Sequence, residues 1–118
     1  MQIILGKENA KKIEGKYILL NLDTFLINGK EVPSYCVLNA DNIPLEEMIQ
    51  LSHWVKNHNK IIENYHKQNW NFCEEMIEHC LDRWGGSMKS FYTTLLARIL
   101  DHKVQGLPKN WTGVISKY

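Results

Sequence analysis

No stretch of these 118 residues holds the run of about 20 apolar side chains that a membrane-spanning helix needs. The apolar N-terminus breaks after Leu5, so a secretory leader is not expected either. Three cysteines, Cys36, Cys73 and Cys80, cannot pair completely within the chain. Cys73 and Cys80 lie seven residues apart, two turns along one helical face, which is too far for an easy disulfide. Reduced, buried thiols in a cytoplasmic protein are the expectation. A formal net charge of +1 supplies no general attraction to nucleic acid, and no glycine-rich phosphate loop is present. With 44% hydrophobic and 23% charged residues, the composition is that of an ordinary globular domain, and the length suits one core rather than two.

The chain is organised around residues 61–84, IIENYHKQNWNFCEEMIEHCLDRW, read as the end of one helix, a turn at Gln68-Asn69 and a second helix. Tyr65 shares a face with Ile61, and Trp70 closes the open end of the hairpin. Asn69 is placed to cap the second helix, with Glu74 and Glu75 toward its positive end. Phe72, Cys73, Met76, Ile77, Cys80, Leu81 and Trp84 form an apolar surface that needs a partner layer.

Before this hairpin, residues 1–5 read as a short strand and 6–16 as a polar stretch. Segments 17–27 and 32–39 read as an antiparallel pair around Asn28-Gly29, with Pro33 easiest to place at a sheet edge. One long helix is expected from Asn42-Ile43-Pro44 to about Lys67, with Asn42 near the cap. Asn57-His58-Asn59 is the place where it would bend or divide. After Gly85-Gly86, Ser87 or Ser90 starts another helix carrying Phe91, Tyr92, Leu95, Leu96, Ile99 and Leu100. The tail is expected to be an irregular arm, folding Trp111, Val114 and Ile115 onto the helices. The fold class is therefore α+β. An N-terminal antiparallel hairpin or three-stranded sheet packs on a three-helix body, in one domain with a β-rich portion at 1–40, a helical portion at 43–104 and an arm at 105–118.

The segment YHKQNWNFCEEMIEHCLDRWGGSMKSFYTTLLARI, followed by LPKNWTGVISKY, resembles the tetratricopeptide (TPR)-like helical C-terminal extension of some bacterial adenylate and guanylate cyclases. The resemblance covers residues 45–118 and rests on Tyr65, Asn69, Trp70, Ser90, Tyr92, Arg98, Trp111, Gly113 and Val114. No segment resembles the cyclase catalytic domain or its paired metal-binding aspartates. The resemblance therefore implies a scaffold or regulatory module without cyclase activity.

Metal-compatible atoms are carried by His53, His58, His66, His79, His102, Cys73 and Cys80, but their spacings match no closed zinc motif. His79 and Cys80 are adjacent, so on a helix they point about 100° apart and do not form a base–nucleophile pair. Catalytic, cofactor and metal residues are accordingly expected to be absent, with a Cys/His metal-dependent enzyme as the least favoured reading. Tyr65, Asn69, Trp70, Trp84, Phe91 and Trp111 are assigned structural roles.

Charge is segregated along the chain. Residues 41–82 carry eight acids against three bases, net −5, and residues 83–118 carry six bases against one acid, net +5. Helix faces that offset one another account for this, and the same asymmetry can orient a partner. The function read from these features is protein–protein contact or regulatory scaffolding, through a protein partner or self-association and not through a membrane. Arg83, Lys89, Arg98 and Trp54 are the candidate contact residues. The alternative is nucleic-acid binding by the basic C-terminal third, where Arg83, Lys89, Arg98, Lys103 and Lys109 lie near aromatic residues.

Overall fold

A computed structural model describes residues 2–39, 41 and 43–116. The elements, in order, are strand β1 (Gln2–Leu5), helix α1 (Lys7–Ile13), strands β2 (Ile18–Ile27) and β3 (Lys30–Leu38), helices α2 (Leu45–Met48), α3 (Leu51–His66) and α4 (Trp70–Cys80), a 3-10 turn at Trp84–Gly86, helix α5 (Lys89–Gln105) and strand β4 (Ile115–Ser116). The class is α+β. The sheet order is β1-β3-β2-β4, antiparallel except for the two-residue parallel pairing of β4 with Phe25 and Leu26 of β2.

Asn28 and Gly29 connect β2 to β3 with φ of 50° and 78°, the left-handed pair required by a two-residue hairpin. Lys30 already belongs to β3, so the turn is shorter than the four residues expected from sequence. Pro33 does not lie at a sheet edge, because β3 is central. Its carbonyl accepts the Gly6 N–H at 2.8 Å, so its backbone polar side faces β1 where that strand ends, and the missing N–H breaks no ladder bond. The polar stretch after Leu5 contains α1, whose Lys7, Ala10 and Lys11 line the sheet face carrying Leu19, Asn21 and Tyr35.

The opposite face presents Leu20, Leu22, Cys36 and Leu38 to a core completed by Ile61, Ile77, Cys80, Met88, Leu95 and Ile99 from the helical half. A register shift between Asn21 and Thr24 buries both Leu22 and Asp23. Asp23 there meets Arg98 of α5 at 2.8 Å.

The long helix expected after Pro44 is divided at Ile49-Gln50 and not at Asn57-His58-Asn59, which lie inside α3. Those three residues do not break the helix because two of them are held by tertiary bonds: Asn59 accepts the Asn21 N–H, and His58 bonds the Asn21 carbonyl. The separate α2 places the Glu47 carboxylate to accept the Trp84 N–H at 3.0 Å. Asn42, the expected cap, lies outside the described residues.

Helix α3 ends with Gln68 N–H donating to the Tyr65 carbonyl and Asn69 N–H donating to the Asn64 carbonyl, the paired closure of a Schellman motif. Asn69 occupies the cap position of α4 without capping it, because its side-chain amide donates to Asn64 Oδ1 instead. Neither Ser87 nor Ser90 caps α5. The residue before that helix is the fully buried Met88, whose burial sets the entry of the chain. The arm after α5 contacts the helices through Trp111 and then joins the sheet as β4, a strand that the sequence pattern did not reveal.

Candidate functional site

Two polar or aromatic clusters absorb most of the chemically distinctive side chains. In the first, His58 is wholly buried between β2 and α5. A carbonyl can only accept, so His58 Nε2–H donates to the Asn21 carbonyl, which leaves Nδ1 to accept the Tyr92 hydroxyl proton at 2.7 Å. The Tyr92 oxygen in turn accepts Trp84 Nε1–H at 3.2 Å. Burial lowers the His58 pKa to about 4, the bond to Asn21 offsetting part of that effect, and burial raises the pKa of Tyr92. The network is neutral and satisfied, and it joins sheet, helices and 3-10 turn.

In the second cluster the rings of Tyr65, Trp70, His102 and Trp111 lie with centroids 5.3–6.0 Å apart. Tyr65 shares a 3.2 Å hydrogen bond with His102 Nε2. Gly113 follows at φ 83°, and a Cβ there would come within 2.7 Å of the His66 ring. Phe91 packs beside Tyr92 at 6.0 Å and His58 at 6.2 Å.

The three thiols are free and buried. Cys36 lies in the sheet, Cys73 donates to the Ile61 carbonyl at 3.5 Å, and Cys80 sits near Tyr92; burial pushes each up to about 11. His79 is exposed while its neighbour Cys80 is fully buried. Among the described residues no three His, Cys, Asp or Glu side chains are grouped as a metal would require.

The basic residues of the C-terminal third are mostly engaged within the fold. Arg98 holds Asp23, which withdraws it from the candidate contact surface. Lys103 lies 2.6 Å from Glu74 and Lys89 lies 3.7 Å from Asp82, so the acidic α4 side and basic α5 offset one another. The Arg83 guanidinium stacks 3.9 Å from the Trp54 ring centroid, bringing two of the candidate contact residues together.

A groove of about 620 Å³ opens between the start of β2 and α3. Ile18 and Leu19 form one wall. Leu51, Ser52, Val55, Lys56, Asn59, Lys60 and Glu63 form the other. Glu63 pairs with Lys67 at 3.0 Å on the exposed side of α3, whereas Lys56 and Lys60, one helical turn apart, have no ion-pair partner among the described residues. The β2–β3 ladder turns the backbone N–H and C=O of Leu19 and Asn21 to the outer edge. Those of Asn21 are taken by Asn59 and His58, while Leu19 faces the groove. Sequence reasoning missed this site; its only local trace is the Lys56/Lys60 spacing opposite the buried stripe of His58, Ile61 and Ile62.

No family model matches the chain, and neither curated proteins nor solved structures give a significant match.

Proposed function

We propose that this chain is a protein-interaction module, not an enzyme, that docks a partner polypeptide in the groove between β2 and α3. The observation that carries this reading is the apolar wall of Ile18, Leu51 and Val55 beneath Lys56 and Lys60, two lysines with no ion-pair partner among the described residues. Apolar area supplies affinity and the lysines supply orientation. Engagement of Arg98 by Asp23, Lys103 by Glu74 and Arg83 by Trp54 supports protein contact over the nucleic-acid reading, which needs free cations along one surface. On the same reading, residues 45–118 act as a regulatory scaffold of the kind appended to cyclases, and the buried free thiols suit a reducing compartment such as the cytoplasm. No helix among the described residues is long and apolar enough to cross a membrane.

The test is selection of a seven-residue random-peptide display library on the folded protein, with a Ser52→Trp variant as control. Ser52 is exposed on the groove wall, so tryptophan there fills the groove without disturbing the core. Enriched peptides that lose at least ten-fold in affinity for the variant are expected. Light scattering across protein concentration, on both proteins, tests whether a second copy is the partner. A strictly monomeric protein that enriches no peptide, and binds mixed-sequence RNA through Arg83 and Lys89, overturns the reading.

A further inference from the structure

We infer that the occupant of the β2–α3 groove is an extended, carboxylate-bearing peptide that adds to the free edge of β2 at Leu19. This rests on the interaction reading above and names the chemistry of its partner. Three observations converge on it.

The first is length. The α3 wall runs from Leu51 to Glu63, about 18 Å at 1.5 Å per residue, which accommodates roughly five residues of extended chain. The second is backbone chemistry. Along the outer edge of β2, Asn21 is capped by α3 and Phe25-Leu26 by β4, but the donor and acceptor of Leu19 are covered by neither. A helical ligand has satisfied its own backbone groups and cannot use them, whereas an extended one forms two bonds there. The third is charge. Lys56 and Lys60 flank the apolar wall with no ion-pair partner among the described residues, and the carboxylate on the rim, Glu63, is paired with Lys67. The groove is therefore complementary to acidic side chains alternating with apolar ones. The apolar set faces Ile18, Leu51 and Val55, and the carboxylates reach the two ammonium groups.

The experiment uses the full chain and two synthetic five-residue peptides with blocked ends, Glu-Val-Glu-Val-Glu and Lys-Val-Lys-Val-Lys, with decanoate as a non-peptide anion of similar length. Binding is followed by NMR titration and by amide hydrogen exchange. The acidic peptide is expected to bind, to slow exchange of the Leu19 amide, and to lose at least ten-fold in affinity in the Lys56→Glu, Lys60→Glu double variant, whose changes are on the exposed side of α3. Equal binding of the lysine peptide, or binding without protection of Leu19, overturns the inference. Stronger binding of decanoate than of the acidic peptide also overturns it, in favour of a small-molecule site. Should the display selection instead enrich neutral or helical peptides that Ser52→Trp excludes, or enrich nothing while the protein self-associates, this inference fails and the interaction reading stands; if a strictly monomeric protein enriches nothing and binds RNA instead, both fail.

Discussion

Gln68 holds φ of 64° at the end of α3, the position where a Schellman closure ordinarily places glycine. A side chain there carries the steric cost of the left-handed region. Gln68 is exposed, so Gln68→Gly removes that cost without losing a buried contact. Chemical denaturation should show the variant more stable by about 1 kcal/mol. Tyr92 presents the opposite case. Its hydroxyl is the only described link between Trp84 Nε1–H and His58 Nδ1. Tyr92→Phe keeps the ring and orphans two buried groups, with an expected loss of about 3 kcal/mol in the denaturant midpoint analysis.

At the scale of elements, the arm is a separate docking event laid over the α3–α4 hairpin. Trp111 enters the ring cluster of Tyr65, Trp70 and His102, Gly113 passes over His66, and Ile115 pairs with Phe25. Gly113→Ala combines a positive φ with a 2.7 Å approach to His66. It should weaken arm docking by about 2 kcal/mol, seen as faster amide exchange at Val114 and Ile115 with the helical core still protected. Trp70 is half-buried, so Trp70→Ala should cost about 2 kcal/mol, less than truncating a fully buried large aromatic. Thermal unfolding checks it, and a variant as stable as the parent rejects a structural role for Trp70.

For the whole molecule, His58 makes folding depend on pH. Its folded pKa of about 4 lies below the ordinary histidine value, so the folded state disfavours the proton that the unfolded chain accepts. The stabilisation is full above about pH 6.5 and is lost as the pH falls toward 4, amounting to about 3 kcal/mol for the whole shift. Denaturation curves at pH 7 and pH 4.5 should show that fall, and a His58→Gln variant should lose the histidine part of the slope. The cause is burial, since the His58 Nε2–H bond to the Asn21 carbonyl survives protonation and opposes the shift; the loss is that of placing a charged ring in the core between β2 and α5.

Local pattern alone specified much of this chain. Asn28-Gly29 announced its hairpin because only such residues accept two consecutive positive φ values, and the stripe through Ile61, Tyr65, Cys73, Ile77 and Cys80 announced two helices with a shared core. Tyr65, Trp70 and Trp111 were assigned structural roles from sequence, without the ring cluster that they form with His102. What sequence could not supply was which polar groups meet. Arg98 is an ordinary exposed cation on a helix until the β2 bulge, 75 residues away, turns Asp23 inward. Asn57-His58-Asn59 reads as a helix breaker until the edge of β2 supplies its bonds. The groove depends on the same placement, because Lys56 and Lys60 are a solvated pair unless a strand edge lies alongside them. Helix and turn formation draws on neighbours within a few residues, whereas ion pairing, edge capping and concavity are set by distances between elements, and those only the tertiary structure decides.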